Sequence, residues 1–135
     1  MFVLDGSVAL AMLLPDEHSA EVDDLEGQFS MGTVAVPTIW PLEVRNGLLS
    51  ALRRRRLTPA QFDERLEALA MFPVEVDPPP DVAALGRITA IARRHDLSIY
   101  DASYIHLAKV RGLPLATLDG QLRKACKAQR IRLVP

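Results

Sequence analysis

Four acidic residues stand beside apolar segments, where a folded chain can gather carboxylates for chemistry. Asp5 follows "FVL", Asp119 follows "LPLATL", Asp101 begins "DASYIHLA", and Glu43 lies within "PTIWPLEV". Carboxylate oxygens are hard ligands that favour Mg²⁺, with Mn²⁺ as a substitute, and such ions keep positions open for a substrate phosphate. Two ions about 3.5–4 Å apart can clamp the attacking and leaving oxygens of a phosphodiester displacement. If the fold gathers the four acids, they predict metal-dependent phosphoryl chemistry.

The elements that must position these acids are short strands alternating with helices. The segments "FVL", "TVAV", "VEV", "LPLATL" and "IRLV" lack polar alternation, as strands covered on both faces do. Helices are predicted over residues 7–14, 16–29, 38–56, 58–70, 81–95, 101–111 and 119–129. This alternation predicts one domain over residues 1–135, a three-layer α/β/α sandwich around a parallel, Rossmann-like sheet of about five strands.

A parallel sheet brings the C-terminal ends of its strands and the starts of the intervening helices to one edge. Asp5 and Asp119 follow strands, whereas Asp101 and Glu43 lie near helix starts. Each acid alone has a structural reading, because aspartate often caps helices and a helical glutamate is usually solvated. Because all four acids are expected at the same edge, a shared functional site is favoured over four separate structural roles. Carboxylates so close would raise one another's pKa values unless cations held them.

Three polar residues are candidates for a supporting role. Ser7 and Thr117 each lie two residues from an acid and can hydrogen-bond a carboxylate, although local backbone capping is the alternative. Asn46 follows Glu43 by three positions and can orient its carboxylate or hold a water, although plain polar surface is equally compatible with this position.

Charge is divided unevenly along a chain whose net charge is only −1. Residues 1–44 hold eight acids and no Lys or Arg, whereas residues 45–135 hold sixteen bases and nine acids. This basic remainder favours an anionic partner such as RNA, bound through its phosphates. The candidate RNA or partner contacts are Arg53, Arg54, Arg55, Arg56, Arg123 and Lys124. The alternative for the arginine run is a solvated helix end, where positive charge complements the helix dipole.

Composition excludes several other classes of protein. The longest uncharged apolar stretches fall short of the roughly 20 residues that a membrane span requires, and no basic segment precedes "FVLD". These features predict a soluble cytoplasmic protein without a membrane partner. Cys126 is the only cysteine, so the chain can form neither an intrachain disulfide nor a CxxC redox motif.

The motifs above resemble those of the PIN-domain ribonucleases, in particular the VapC-type toxins of toxin–antitoxin pairs. The stretch "FVLDGSVALAMLLPDE" resembles the family's opening segment, and "PTIWPLEVRNGLL" its second. The stretch "LSIYDASYIHLAKVRGLPLATLDGQLRKA" resembles the third and fourth, with the most specific spacing. The chain departs from the family at Gly6, where a small residue with a β-carbon is commoner, and at Pro41, before the helical acid.

The resemblance implies a role for each matching residue. Asp5, Glu43, Asp101 and Asp119 match the family's metal-binding acids, and its supporting polar positions are matched by Ser7, Asn46 and Thr117. It further implies Mg²⁺- or Mn²⁺-dependent RNA cleavage, a homodimer, and inhibition by a small antitoxin protein.

Three other functions compete with the toxin hypothesis. An RNA-processing nuclease of the same fold would lack an antitoxin. A phosphoacceptor receiver domain would require a second acid after the first strand and a lysine after a late strand, and neither is present. An inactive interaction module would keep a costly cluster of like charges without cations.

Overall fold

A four-stranded parallel sheet forms the centre of the computed structural model, which describes residues 1–134. The strands are β1 (Val3–Leu4), β2 (Val34–Val36), β3 (Val74–Val76) and β4 (Leu115–Ala116). Their spatial order is β3-β2-β1-β4, and every neighbouring pair is parallel. The chain order reverses direction at β1, so β1 and β4 are neighbours although more than a hundred residues separate them.

Seven α-helices flank the sheet in the described residues, as the predicted α/β/α arrangement requires. They are α1 (Gly6–Leu13), α2 (Ala20–Phe29), α3 (Trp40–Arg53), α4 (Pro59–Ala70), α5 (Val82–His95), α6 (Ile99–Arg111) and α7 (Gly120–Ala128). Helices α1 to α4 contact one another, whereas α6 packs on both α5 and α7. The predicted fold class is confirmed.

The predicted strand count of about five is slightly too high. The segment "IRLV" continues the sheet beside β4 only as a single parallel bridge between Leu115 and Leu133. The backbone N–H of Leu115 donates to the Arg132 carbonyl, and that of Val134 donates to the Leu115 carbonyl. The segment therefore covers the outer edge of β4, but it pairs over too few residues to form a strand.

Several helix boundaries differ from the predicted ones for local reasons. The predicted 16–29 helix is divided into a 3-10 turn at Pro15–Glu17 and α2, which Ser19 caps by accepting from the Val22 N–H. Helix α3 begins at Trp40, not residue 38, and it tolerates Pro41 in its first turn, where no N–H donor is needed.

Helix α6 begins before Asp101, which corrects the reading of that acid as the helix start. Its cap is Ser98, whose hydroxyl accepts from the Asp101 N–H. Asp101 therefore lies inside the first turn, and its carboxylate does not serve as the N-cap. Helix α4, by contrast, begins close to its predicted start, where Thr58 forms a capping box with Gln61.

Tight packing between α1 and α3 fixes the position of the second acid-bearing segment. A β-carbon at Gly47 would lie 2.4 Å from a Leu10 δ-carbon, so a larger residue there would force the Leu10 side chain to move. The α3 side chains Trp40, Val44 and Leu48 are buried on the same face, against the core. This packing leaves Glu43 near the sheet edge.

Within residues 1–134, every helix is too short or too polar to cross a lipid bilayer.

Candidate active site

Asp5 is placed where β1 ends and α1 begins, next to the end of β4. Its backbone N–H donates to the Ala116 carbonyl at 3.0 Å, which ties it to the neighbouring strand. The residue is 4% exposed, one of only two buried polar or charged residues in the described chain. A carboxylate this buried requires strong compensating partners.

Two hydroxyl groups hold one oxygen of the Asp5 carboxylate. Ser7 Oγ donates to Asp5 Oδ2 at 2.6 Å, and Thr117 Oγ1 donates to the same oxygen at 2.7 Å. Each hydroxyl also accepts a backbone N–H: Ser7 from Leu118, and Thr117 from Asp119. The predicted supporting residues Ser7 and Thr117 therefore do contact an acid and join the ends of β1 and β4 in one network.

Asp119 caps α7 just beyond the end of β4. Its Oδ1 accepts from the Leu122 N–H at 2.9 Å, as a helix cap does. The residue is exposed, and its other carboxylate oxygen has no hydrogen bond within residues 1–134. The structural reading of Asp119 as a cap is correct, and it is compatible with ligation through the free oxygen.

Glu43 reaches the same edge from the first turn of α3. Its Oε2 accepts from the buried Tyr104 hydroxyl at 3.2 Å. Its Oε1 is buried and has no hydrogen-bond partner within residues 1–134. A β-carbon on Gly6 would lie 3.4 Å from Glu43 Oε2 and 3.7 Å from the Tyr104 hydroxyl, so the glycine borders the carboxylate directly.

The electrostatic interactions connect all four acids. Burial raises the pKa of Asp5 although the hydrogen bonds from Ser7 and Thr117 lower it, and the charge of Asp119 adds to the increase. Burial raises the pKa of Glu43 to about 6, with the Asp5 charge next in importance. The pKa of Asp101 is raised by partial burial, then by the charges of Asp5 and Asp119. The fold thus brings the four predicted acids into mutual repulsion at one edge.

Within residues 1–134, no three of these carboxylates bring ligand oxygens within 4.8 Å of one another. In the described residues, only His18, Asp23 and Glu26 place three potential ligand atoms within 4.8 Å of each other. That group is exposed at the start of α2, and His18 Nδ1 lies 3.0 Å from Asp23 Oδ1. The wider spacing of the four edge acids leaves room for ions that retain water ligands.

Most of the other predicted residues have exposed side chains without partners in the described chain, but Arg56 forms an ion pair. Asn46 is exposed one turn after Glu43 and forms no side-chain hydrogen bond within the described chain. Arg53, Arg54, Arg55 and Lys124 are exposed, with no ion pair in residues 1–134. Arg56, however, donates two hydrogen bonds to Asp16, each 2.9 Å long. Arg56 is therefore neither a solvated helix end nor a free contact residue, whereas the solvated reading remains compatible with Arg53, Arg54 and Arg55.

Arg123 contributes to the site by supporting its backbone. Its Nε donates to the Thr117 carbonyl at 2.9 Å, and its guanidinium pairs with Glu21 on α2. Sequence reasoning assigned it only to RNA or partner contact.

Tyr104 is the functional candidate that sequence reasoning missed. The available signal was its position, three residues after Asp101 on the same helix, which places the two side chains on neighbouring parts of one helix face.

Comparison with known proteins identifies the family. The PIN-domain family model matches residues 2–128. Ribonuclease VapC9 of Mycobacterium tuberculosis is 35% identical over 141 aligned positions, which cover 100% of this chain and 99% of that protein. Ribonuclease VapC3 of Pyrobaculum aerophilum is 30% identical and covers 89% of this chain and 90% of its own length.

Two solved structures share the fold. The crystal structure of PAE2754 from Pyrobaculum aerophilum superposes with a TM-score of 0.67 at 27% identity, covering 92% of this chain and 84% of that one. The crystal structure of FitAcB from Neisseria gonorrhoeae superposes with a TM-score of 0.71 at 19% identity, covering 100% of this chain and 97% of that one. At this identity the similarity shows a shared fold and nothing more.

This chain therefore belongs to the PIN-domain family. Its parallel α/β/α fold, with four carboxylates at the C-terminal edge of the sheet, is the scaffold of that family. Within that family, its full-length relatives are VapC-type proteins. The receiver-domain alternative is thereby excluded.

Proposed function

We propose that the protein is a metal-dependent endoribonuclease that hydrolyses RNA phosphodiester bonds with metal-activated water, and that it is the toxin of a toxin–antitoxin pair. Two relatives that align with this chain over 90% or more of their own length are named ribonucleases. The observation that carries the proposal is the convergence of four carboxylates from distant segments on the C-terminal edge of the sheet.

The donor set fits a hard divalent cation. Glu43 Oε1 is a buried oxygen without a hydrogen-bond partner among residues 1–134, which is a costly arrangement unless a cation completes it. The raised pKa values of Asp5, Glu43 and Asp101 support the same conclusion. Burial first, and then repulsion between the acids, disfavours their charged forms, and a bound cation offsets both effects. Mg²⁺, with Mn²⁺ as a substitute, suits an all-oxygen site.

The proposed roles follow from how firmly each acid is held. Asp5 would be the fixed ligand, because Ser7 and Thr117 hold its carboxylate in one orientation. Glu43, Asp101 and Asp119 would complete the coordination. When bound, the ions would activate a water and neutralise charge on the scissile phosphate.

The exposed cations would bind the RNA backbone, or a partner, without reading its sequence. Arg53, Arg54, Arg55 and Lys124 are the free candidates, whereas Arg56 is held by Asp16. Phosphate contacts of this kind add affinity that falls as salt concentration rises.

RNA cleavage by the purified protein tests the catalytic proposal. We expect cutting with Mn²⁺ or Mg²⁺, none with EDTA, and a loss of at least about a hundredfold in the Asp101→Asn variant. The matched control is Asp96→Asn, which makes the same chemical change at an exposed residue with a left-handed backbone (φ 54°) that asparagine tolerates. Undiminished cutting by Asp101→Asn would overturn the assignment.

The toxin proposal has its own test. Induced expression should arrest growth, and co-expression of the neighbouring small open reading frame should relieve the arrest. Cleavage without growth arrest would instead favour an RNA-processing nuclease on the same fold. The proposal places the protein in the cytoplasm, where its RNA substrate would be found.

A homodimer is part of the proposal, supported by an apolar surface beside the site. Ile39 and Leu42 on one side and Leu85 and Ile99 on the other line a cavity of about 240 Å³. Leu42 is 67% exposed, an unusual position for a leucine among other apolar side chains. Light scattering should show a dimer that Leu42→Glu dissociates, whereas Met71→Glu, at an exposed methionine elsewhere, should leave it intact. A monomeric unmodified protein would overturn this part.

A further inference from the structure

A second cavity lies away from the carboxylates, between α5, α6 and the end of α7. Its volume is about 360 Å³, within the range of small-molecule sites. One face of α5 supplies Arg87, Ala90, Ile91 and Arg94, at helical spacings of three, four and seven. The cavity is separate from the proposed catalytic edge.

The charged groups around this cavity are all basic. Arg87, Arg94 and Lys109 line it together with His106, and its lining includes no acidic side chain. None of these three cations forms an ion pair within residues 1–134, whereas Arg56, Arg111 and Arg123 elsewhere all do. The cavity therefore presents three cations that lack ion-pair partners in the described chain, and the acids Asp77 and Asp81 line the adjoining cavity that shares Arg87 and His106.

Hydrogen bonds between the helices hold two of these basic groups in position. Arg87 Nε donates to His106 Nε2 at 3.3 Å, which requires that ring nitrogen to be unprotonated. Lys109 Nζ donates to Gln129 Oε1 at 2.7 Å, so the lysine is directed toward the end of α7. Arg94 has no hydrogen-bond partner within the described chain and is the freest donor.

The apolar part of the lining restricts the ligand further. Ala90 and Ile91 lie between the two arginines along α5, and Val110 completes an apolar surface. A planar, weakly polar ring system suits such a surface, while a phosphate group suits the guanidinium of an arginine.

We propose that this cavity binds a nucleotide, with its phosphate on Arg94 and Lys109 and its base on the Ala90–Ile91 surface. The same chemistry could come from a free mononucleotide or from one residue of an RNA strand. Either would occupy a site distinct from the four carboxylates, so the proposal does not depend on catalysis.

Calorimetric titration in EDTA tests the proposal on the full-length protein, because chelation prevents phosphate binding through a metal at the carboxylate edge. The probes are adenosine 5′-monophosphate, adenosine, inorganic phosphate and a short single-stranded oligoribonucleotide. We expect saturable binding of the mononucleotide, the RNA or both, and weaker binding of adenosine and phosphate. Arg94→Gln should lower the affinity about tenfold, as loss of one charge-assisted contact does.

The matched control is Arg93→Gln, which removes the same charge from the same turn of α5 but does not line the cavity. It should bind like the unmodified protein. Dependence on Arg94 and not on Arg93 supports the proposal, and the probe that binds identifies the source of the nucleotide. The proposal would be overturned if neither adenosine 5′-monophosphate nor the oligoribonucleotide bound, or if the two variants lost affinity equally. Cleavage activity with Mn²⁺ is a separate measurement, so its failure would be distinguishable.

Discussion

The Tyr104 hydroxyl donates a hydrogen bond of 3.2 Å to Glu43 Oε2, which connects α6 to α3 at the C-terminal edge of the sheet. Tyr104 is fully buried, and burial together with the charge of Glu43 raises the pKa of its hydroxyl. The hydroxyl therefore remains a protonated donor at any working pH. It fixes one glutamate oxygen and leaves Oε1 available as a ligand.

Replacing Tyr104 with phenylalanine should weaken the site without unfolding the protein. Loss of one hydrogen bond to a charged group costs about 1.5–3 kcal/mol, which predicts a decrease of about tenfold or more in Mn²⁺ affinity and in kcat/KM. Electron paramagnetic resonance of free Mn²⁺ measures the affinity. Tyr100→Phe, which removes an exposed hydroxyl from the same helix, should match the unmodified protein. Equal Mn²⁺ affinity in both variants would show that Tyr104 has no positioning role.

The metal-free protein should be more stable at pH 4.5 than at pH 7. Glu43 has a pKa of about 6 in the folded protein instead of the usual 4.5, so the folded state binds its proton more tightly than the unfolded chain. The stabilisation is present below the unfolded pKa and is lost as the pH rises through about 6, which amounts to about 1–2 kcal/mol. Asp5 and Asp101 shift in the same direction.

Urea unfolding in EDTA across this pH range measures that effect. Glu43→Gln should flatten the dependence between pH 4.5 and 7, because its neutral amide does not titrate. Millimolar Mg²⁺ should restore stability at pH 7, since a ligand of the folded state stabilises it. Stability that increases with pH across the range in EDTA would contradict the raised pKa of Glu43.

Thr117→Val should destabilise the junction between β1 and β4. The Thr117 hydroxyl donates to Asp5 Oδ2 and accepts from the Asp119 N–H, and the residue is 3% exposed. Its removal takes one of two hydroxyl donors from the buried Asp5 carboxylate and leaves the Asp119 N–H without this partner, at a cost of about 1–3 kcal/mol in unfolding free energy. Thr89→Val, at an exposed hydroxyl that donates only to the Leu85 carbonyl, should cost less than about 0.5 kcal/mol. Similar losses in the two variants would indicate that the network adds little.

Gly6 should tolerate alanine but not valine. A β-carbon there lies at ordinary contact distance from Glu43 Oε2, so Gly6→Ala should preserve cleavage and stabilise the start of α1 by about 0.4–1 kcal/mol. The γ-carbons of valine would extend into the space beside Glu43 and Tyr104, and we expect at least a tenfold loss of cleavage. Thermal unfolding and RNA cleavage measure the two effects, and full activity in Gly6→Val would show that this space is not needed.

The placement of the acids was predictable because strand ends and helix starts follow from local patterns. "FVL" and "LATL" mark buried strands, and parallel pairing sends the residues after them to one edge without knowledge of distances. The start of α4 just after Thr58 was predictable for the same reason, since its signals lie within a few residues.

Contacts between distant segments could not be predicted in this way. The Tyr104–Glu43 hydrogen bond depends on how α3 and α6 meet, and Arg56 pairs with Asp16 across forty positions. The wide spacing of the acids and the reduction of "IRLV" to a bridge are likewise results of packing. Sequence patterns specify the edge, whereas tertiary structure determines the spacing.

Anomalous diffraction from crystals soaked in Mn²⁺ tests most directly whether the four acids hold divalent ions. The proposal predicts a manganese peak bounded by Asp5, Glu43, Asp101 and Asp119, with Glu43 Oε1 within coordination distance. A peak only at His18, Asp23 and Glu26, with no density at the sheet edge, would contradict it.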